Sequence, residues 1–482
     1  MKNQGTAHYR RGNGAAGGLA DFAYLLPHIN WRPSDLHLKS QKNPDSMNTQ
    51  DQALITDNAR FRPIGILMET DLTNSQRKFV PSLEGVRGYA FLIVFLAHFL
   101  NIVGYENHKW WSYPEFLFGQ VDPLVLPVFF VLSGFLICGI LIDTREREGY
   151  FRVFYIRRTL RVFPLYYLTL LGTALICTMK GLSLTSRFWI HFLYIHNLFP
   201  SIASNLNTVP TMVISHLWSM GVEEQFYMVW PLIVWLCPNR RILLRVTIAL
   251  IVVCVALRFA FPWLHLTPRF IYFWTPTRVD AILIGAVLVM IRKEKIYRWF
   301  ETIAKFVAIG GVIAIALIGS EKQATVLGSP IHAATLISLW NLIAAGIVVA
   351  AMREESTLCR ACSMKGIRWL GARSYGLYLF HLIILIWFLH SFALRLARFM
   401  PLKCALVAAA ACALSLTIVV AALCYRFIEE PAMNLKKVIR YGGAKKPRSV
   451  LQTPNPALTV AAWDREMFAL KERATQDIIP RE

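Results

Sequence analysis

The chain has 482 residues, of which 55% are hydrophobic and only 17% are charged, and its mean hydropathy is +0.44. Soluble domains carry roughly 25% charged residues, so this composition excludes an ordinary soluble fold and indicates an integral membrane protein. Lysine and arginine outnumber aspartate and glutamate by 51 to 29, a formal net charge of +22. This excess lies mainly in the two ends and in a few loops between apolar segments. Such a distribution is typical of the cytoplasmic side of a membrane protein and argues against nucleic acid as a partner.

Polar regions lie on both sides of the apolar part. Residues 1–80 are rich in Asn, Gln, Asp, Arg and Gly and predict a disordered cytoplasmic extension. Residues 81–433 predict one transmembrane domain, and residues 434–482 predict a basic, polar cytoplasmic tail. The nine cysteines include one C-x-x-C pair, Cys359 and Cys362, without a second pair or a histidine pair beside it. No metal site is therefore expected.

The apolar part predicts an all-α bundle of about ten transmembrane helices, because a segment of roughly 20 apolar residues can cross the hydrocarbon core. The basic clusters fall on alternate loops if the short segment 187–200 is re-entrant or interfacial. That solution places both termini and every strongly basic loop in the cytoplasm. The predicted spans are 87–104, 121–142, 162–179, 216–237, 242–263, 270–291, 303–320, 330–351, 374–397 and 403–425.

The first span carries an arginine and a histidine on one helix. Arg87 is expected at the cytoplasmic entrance, and His98, eleven residues later, is expected about 16 Å deeper, near the bilayer midplane. A neutral imidazole at that depth can accept a proton from a bound hydroxyl. A histidine that is hydrogen-bonded between helices explains the residue equally well. The first helix alone therefore favours neither interpretation.

The fourth span contains two adjacent carboxylates, Glu223 and Glu224. An ionisable side chain inside a span costs about 3 kcal/mol on insertion scales, so this pair predicts a cavity or a basic partner. Neighbouring helix positions lie about 100° apart, so the two carboxylates cannot point the same way. The structural alternative is an ion pair, with Arg278 or Arg87 as the partner.

Three arginines, Arg157, Arg158 and Arg161, occupy the loop and helix start before the third span. Arg157 and Arg161 share a helical face at the predicted cytoplasmic boundary, and guanidinium groups placed there suit the phosphates of CoA or a nucleotide. Any cytoplasmic juxtamembrane loop gathers arginine and meets anionic lipid. On these residues alone, the second explanation is the simpler one.

Further polar residues interrupt the later spans. Ser133 and Gly134 form a small-residue patch that permits close helix packing. Arg278 and Asp280 are expected to form an internally compensated ion pair. Ser374, Tyr378 and His381 share one helix face.

Taken in chain order, these segments resemble acyltransferase family 3, the membrane acyltransferases that include O-antigen, Nod-factor, exopolysaccharide and macrolide acylating enzymes. The resemblance covers roughly residues 80–433, and its specificity comes from all motifs occurring in the family's order. The motifs are Ser82-Leu83-Glu84-Gly85-Val86-Arg87-Gly88 through His98, Phe129-Phe130-x-x-Ser133-Gly134, Arg157-Arg158-x-x-Arg161-x-x-Pro164-x-Tyr166, Trp218-Ser219-x-x-Val222-Glu223-x-Gln225-Phe226-Tyr227-x-x-Trp230-Pro231, Arg278-x-Asp280, Ser374-Tyr375-x-x-Tyr378-x-x-His381 and Glu429-x-Pro431.

The resemblance implies transfer of an acyl group, commonly acetyl, from acyl-CoA to a hydroxyl of a carbohydrate-type acceptor, with no permanently bound cofactor and no metal. His98 would deprotonate the acceptor or pass the acyl group through an acyl-imidazole, and Glu223 would orient or charge-balance it. The phosphates of CoA would be held by Arg87, Arg157, Arg158 and Arg161. Support for substrate or structure is expected from Ser133, Trp218, Ser219, Gln225, Tyr227, Arg278, Asp280, Tyr378 and His381.

Two other interpretations fit a buried His, Glu and Arg set. One is a multi-pass transporter, although no internal repeat is visible. The other is a translocator that passes acyl groups to a separate transferase, which fits the expectation that this chain has no fused SGNH-type hydrolase domain. The sequence leaves open the acceptor, the acyl group (acetyl, succinyl or longer), the acceptor's side of the membrane and the oligomeric state. An inner-membrane location assumes a bacterial host.

Overall fold

The computed structural model describes residues 80–104, 112–184, 186–199, 213–261, 263, 268–292, part of 294–313, and 329–443. Regular structure in this part of the chain is helical, and no β-strand occurs in it, as the all-α prediction requires. The predicted extension 1–80 lies outside the described residues except for residue 80, as does the tail beyond residue 443.

The helices lie in the following order. They are α1 Pro81–Gly104, α2 Ser112–Thr144, α3 Tyr150–Met179, α4 Ser186–Trp189, α5 Trp218–Leu236, α6 Arg240–Ala260, α7 Pro268–Phe273, α8 Thr275–Arg278, α9 Asp280–Ile291, α10 Pro330–Met352, α11 Thr357–Cys362, α12 Lys365–Ala372, α13 Ser374–Phe388, α14 Leu394–Leu396, α15 Leu402–Cys424 and α16 Glu430–Leu435. Short 3₁₀ turns cover Ile190–Leu193, His196–Leu198 and Ser215–Leu217, and π-helical turns cover Leu389–Ala393 and Tyr425–Glu429.

Seven helical segments in the described residues are long and apolar enough to cross a membrane, which identifies an integral membrane protein. They correspond to seven of the predicted spans and are Pro81–Val103, Val125–Thr144, Tyr150–Met179, Arg240–Ala260, Pro330–Met352, Ser374–Leu396 and Leu402–Leu435. The total of about ten spans and the cytoplasmic position of both termini remain predictions.

Three predicted spans differ from this set. Span 216–237 forms the 19-residue helix α5, which is outside the set of apolar spans. Span 270–291 is not one helix but three, α7 to α9, because Pro276 lies at the start of α8 and the chain turns again before Asp280. Span 303–320 lies largely outside the described residues. Segment 187–200 contains only short helical turns, so it does not form a spanning helix.

Glycines allow two helix pairs to touch backbone to backbone. At the crossing of α2 and α9, a Cβ on Gly134 would overlap the carbonyl of Ile282, and a Cβ on Gly285 would overlap the carbonyl of Val131. The expectation that the Ser133-Gly134 patch permits close packing is therefore confirmed. Gly85 on α1 makes a similar approach to the carbonyl of Cys362. These crossings bring α1 and α2, which carry predicted site residues, into fixed positions.

The ion pair predicted between Arg278 and Asp280 is wrong. Asp280 instead accepts a hydrogen bond from Arg258 on α6 at 2.7 Å and another from Asn341 on α10 at 2.8 Å. Arg258 is fully buried and also donates to the carbonyl of Thr277 at 2.6 Å. Since α9 begins at Asp280, its carboxylate faces the neighbouring helices α6 and α10, where Arg258 is the available cation.

Candidate functional site

An arginine on α3 holds together the two carboxylates of α5. The guanidinium of Arg158 lies 3.7 Å from the carboxylate of Glu223 and 3.4 Å from that of Glu224. It also lies 3.7 Å from the ring centroid of Tyr227, whose hydroxyl donates to Glu223 at 3.1 Å. The predicted basic partner of the carboxylates is therefore Arg158, and neither Arg278 nor Arg87 forms an ion pair with them among the described residues.

Two further arginines, Arg87 on α1 and Arg161 on α3, approach this group. The positive charges of Arg161 and Arg158 repel that of Arg87, and the charge of Arg158 also repels that of Arg161. Neither guanidinium has a hydrogen bond or ion pair to any residue that the structure describes. Glu223 and Glu429 are their nearest carboxylates by electrostatics, but neither carboxylate bonds to them directly, so the two half-buried guanidinium groups keep donors that suit an external phosphate.

The start of α3 differs from the sequence prediction. The helix begins at Tyr150, so Arg157, Arg158 and Arg161 lie within its second to fourth turns and not in a loop. Arg157 and Arg158 consequently point in different directions. Arg157 donates to the carbonyl of Ile439 at 2.8 Å and lies 5.3 Å from the ring centroid of Tyr441, whereas Arg158 faces α5.

Lys436, the first residue after α16, places an ionisable amine beside these arginines. Burial, together with the nearby positive charges of Arg161, Arg158 and Arg157, lowers the pKa of Lys436 to about 6, while Glu429 opposes the shift. Sequence reasoning missed this residue because it lies far along the chain in a segment interpreted as a basic tail. We define the arginine group as Arg87, Arg157, Arg158, Arg161 and Lys436, together with the carboxylates of Glu223, Glu224 and Glu429.

A second group consists of three histidines from three parts of the chain. The ring centroids of His98 on α1 and His381 on α13 lie 5.3 Å apart. His216, in the 3₁₀ turn before α5, lies 5.0 Å from His381. His216 and His381 are buried, whereas His98 is partly exposed. We call these three residues the histidine group, and His98 is the member that a substrate can reach.

Tyr378 and Ser219 connect α13 to α5 beside the histidines. The hydroxyl of Tyr378 lies 2.8 Å from the Ser219 hydroxyl and donates to the carbonyl of His216 at 2.8 Å. The Tyr378 ring lies 5.5 Å from that of His381, as expected for residues one turn apart on a shared helix face. Tyr378 and His381 therefore share a helix face as predicted, and the fold also brings Ser219 of α5 to Tyr378.

The other predicted supporting residues lie around these groups. Ser133 makes a short hydrogen bond to the hydroxyl of Tyr227. Gln225 donates to the Tyr194 carbonyl at 2.7 Å and to Asn197 at 2.8 Å, so it anchors the 194–198 turn. Trp218 packs on Tyr272 and lies 5.7 Å from the Arg278 guanidinium, which has no hydrogen-bond partner among the described residues.

Glu223 was expected to orient or charge-balance His98, but no contact joins these two residues in the part of the chain that the structure describes. Its described contacts go to Arg158 and Tyr227, and its other electrostatic neighbours are Arg87 and Arg161. The residue beside His98 is His381, and the buried neighbour of His381 is His216, which the sequence did not single out. Its position two residues before the Trp218-Ser219 motif was the available signal. The described residues contain no cluster of three or more His, Cys, Asp or Glu side chains able to hold a metal.

The fold and these groups define an integral membrane protein with two sets of ionisable side chains among its helices. The chain matches the family model described as "Acyltransferase domain" (Acyl_transf_3) over residues 80–426. It therefore belongs to acyltransferase family 3, as the sequence motifs predicted.

The chain also resembles curated proteins. It is 28% identical over 396 residues to the "Peptidoglycan O-acetyltransferase OatA" of Listeria monocytogenes, covering 74% of this chain and 56% of the relative. It is 26% identical over 338 residues to the "Putative peptidoglycan O-acetyltransferase YrhL" of Bacillus subtilis, covering 64% and 49%. The "O-acetyltransferase OatA" of Staphylococcus aureus NCTC 8325 is 26% identical over 378 residues, covering 73% and 57%. The chain spans about half the length of these relatives. No solved structure matches it.

Proposed function

We propose that this chain is a membrane O-acyltransferase that moves an acetyl group from acetyl-CoA to a hydroxyl of a carbohydrate-type acceptor. The arginine group binds the phosphates of the donor from the cytoplasm, and His98 acts at the reacting atoms. In a bacterial host the enzyme works in the inner membrane. Acyl-CoA is a co-substrate in this proposal and not a resident cofactor.

One observation carries the proposal, namely the position of Arg87 and His98 on the same helix. Both lie in α1, eleven residues apart, so their backbones are separated by about 16 Å along the helix axis. CoA likewise separates its phosphates from its reactive thioester by a long flexible arm. Arg87 and Arg161 have no protein anion bonded to them among the described residues, and His98 is partly exposed. A single donor molecule therefore has a binding site at one end and a base at the other.

The reaction balances with His98 as general base. The His98 imidazole takes the proton of the acceptor hydroxyl while the hydroxyl oxygen attacks the thioester carbonyl carbon. The C–S bond breaks, and the thiolate of CoA leaves with the proton that the His98 imidazolium returns. General acid–base catalysis of this type contributes about 10² to 10⁴ in rate. The acyl-imidazole route uses the same residue as the nucleophile.

The acceptor class comes from the relatives. Two of them are named for peptidoglycan and O-acetylation, so peptidoglycan-type sugars are the first acceptors to test. Transfer of the acetyl group to a separate transferase is the alternative.

Turnover of acetyl-CoA by the purified protein tests the proposal. Release of the CoA thiol is followed in liposomes with and without soluble peptidoglycan fragments, for the wild type and His98→Ala. Acceptor-dependent release that falls by about 10²-fold or more in His98→Ala is expected. Equal release by both proteins would show that His98 has no catalytic role. No release, and no binding of CoA by the folded protein, would favour the transporter.

A further inference from the structure

His381 lies directly behind His98, and its hydrogen bonding determines the position of its proton. Its Nδ1 atom is 2.7 Å from the backbone carbonyl of Tyr378. A carbonyl oxygen can only accept a hydrogen bond, so Nδ1 must carry the proton and donate it. In the neutral ring, Nε2 is then left with a free lone pair. The His381 side chain therefore presents an acceptor and not a donor to its surroundings.

The Nε2 lone pair of His381 is buried and unused by the described residues. His381 is 0% exposed, and Nε2 has no hydrogen-bond partner in the part of the chain that the structure describes. A buried polar atom without a partner costs about 1–3 kcal/mol, so its retention calls for a role. The rings around His381 are those of Phe91, His98, His216 and Tyr378.

Two of these four rings carry nitrogen atoms, those of His98 and His216, whose centroids lie 5.3 Å and 5.0 Å from that of His381. Neither ring is hydrogen-bonded to Nε2 in this structure. Phe91 has no polar atom, and the Tyr378 hydroxyl is already bonded to His216 and Ser219. His216 is buried like His381, whereas His98 is partly exposed and lies two turns from Phe91 on the same face of α1. His98 therefore connects the buried lone pair to the side on which a substrate can bind.

We propose that His381 is a positioning residue: when substrate binds, the partly exposed His98 ring turns to donate its N–H to Nε2 of His381, which fixes the tautomer of the catalytic imidazole. The opposite nitrogen of His98 then holds its lone pair toward the acceptor hydroxyl. The arrangement is a pair of histidines in which the second ring does the orienting. This proposal rests on the proposed function in that it assigns the base to His98.

The pair explains why an imidazole, and not a carboxylate, would orient His98. A carboxylate is the usual orienting partner of a catalytic histidine, but Glu223 is engaged by Arg158 and Tyr227. An uncharged imidazole acceptor serves the same purpose without adding a negative charge at membrane depth, where charges are costly. When His98 takes the hydroxyl proton, its other N–H donates more strongly to Nε2, so the hydrogen bond strengthens as positive charge develops.

Steady-state kinetics of three variants test the pair. His381→Phe keeps a buried ring and removes the acceptor, His381→Gln keeps an acceptor oxygen, and His332→Phe is a matched control on α10. We expect His381→Phe to lower kcat by roughly 10- to 100-fold with an unchanged KM for acetyl-CoA, the scale of losing an orienting hydrogen bond on a histidine. His381→Gln should recover part of kcat, and His332→Phe should match the wild type.

Two further outcomes decide the matter. If His381→Phe and His381→Gln are equally slow, packing and not hydrogen-bond acceptance is responsible, and the proposal is overturned. Wild-type kcat in both variants overturns it as well. In the double variant His98→Ala/His381→Phe, activity should equal that of His98→Ala, because His381 acts only through His98.

A measurement without substrate separates this proposal from the proposed function. Diethyl pyrocarbonate acylates the unprotonated nitrogen of imidazole, and peptide mass spectrometry reports its attachment to His98. We expect His98 to react several-fold more slowly in His381→Phe than in the wild type, with His381→Gln in between. Equal rates in all three overturn the pair, even if the protein proves to use another donor. If the labelling rates differ between the wild type and the variants as expected, but the wild type never turns over acetyl-CoA, only the proposed donor is refuted.

Discussion

The guanidinium of Arg158 lies over the ring of Tyr227 and at the same time faces the carboxylates of Glu223 and Glu224. A planar guanidinium can stack and bond in its plane at once, which a lysine ammonium cannot do. Two carboxylates and one aromatic ring on α5 are thereby fixed against α3.

Arg158→Lys should impair the enzyme although it preserves the charge. Losing one charged hydrogen bond costs about 1.5–3 kcal/mol, so we expect kcat/KM for acetyl-CoA to fall by roughly tenfold or more. Tyr227→Phe keeps the stacking ring and serves as the matched control, with a smaller loss. The measurement is thiol release from acetyl-CoA. A Lys variant as active as the wild type would show that Arg158 supplies charge alone.

The Arg258–Asp280 pair should dominate stability in its region. Arg258→Met leaves the Asp280 carboxylate buried with Asn341 as its one remaining partner among the described residues, and breaking such a pair costs about 3–5 kcal/mol. We expect a marked drop of the thermal midpoint in detergent, and partial recovery in Arg258→Met/Asp280→Leu, because the double variant buries no charge. A double variant less stable than both single variants would contradict this account.

The glycine contacts of α2 and α9 predict an overpacking effect. Gly134→Ala and Gly285→Ala each place a methyl group against a carbonyl of the facing helix and should destabilise by about 1–3 kcal/mol. Gly172→Ala on α3 is the matched control, since a Cβ there meets no atom within 4 Å. This control should be neutral or slightly stabilising, because alanine favours a helix over glycine. Thermal midpoints of the three variants, measured side by side, check the prediction.

Lys436 predicts a pH dependence of donor binding. Its pKa is lowered to about 6, so in the free protein it is charged below that pH and neutral above it. The added positive charge should strengthen phosphate binding, so the KM for acetyl-CoA should rise as pH increases through about 6. Lys436→Arg stays charged across this range and Lys436→Met is never charged. The difference between wild type and Lys436→Arg isolates the lysine from the titration of CoA itself.

A second consequence of the lowered pKa concerns folding. The unfolded Lys436 has a pKa of 10.5 and the folded one about 6, so folding must release its proton between those values. Stability should therefore decrease as pH falls from 10.5 towards 6 and change little below that value. Lys436→Met should lack this component. An identical pH dependence of the thermal midpoint in both proteins would exclude it.

The sequence predicted well what depends on local spacing. Tyr378 and His381 share a helix face, and Gly134 permits close packing, because both follow from positions one turn apart or from side-chain size. The apolar lengths likewise located seven helices that the structure contains. These features need no knowledge of which helices are neighbours.

The sequence could not predict the contacts that depend on which helices are neighbours in the fold. Asp280 pairs with Arg258 and not with Arg278, because three helices come together around the start of α9. His98, His216 and His381 are far apart in the chain and gather only in the fold. The start of α3 at Tyr150 was also missed, because polar residues at an apolar helix's end were interpreted as a loop. The roles of the individual site residues remain predictions.

The backbone contact at Gly134 and Gly285 also bears on how the molecule can move. Where carbonyl groups meet the facing helix without an intervening side chain, α2 and α9 cannot slide or tilt past one another without separating. Alternating access requires one bundle of helices to rock against another. We therefore expect α2 and α9 to move together, with any such rocking taking place at another helix interface.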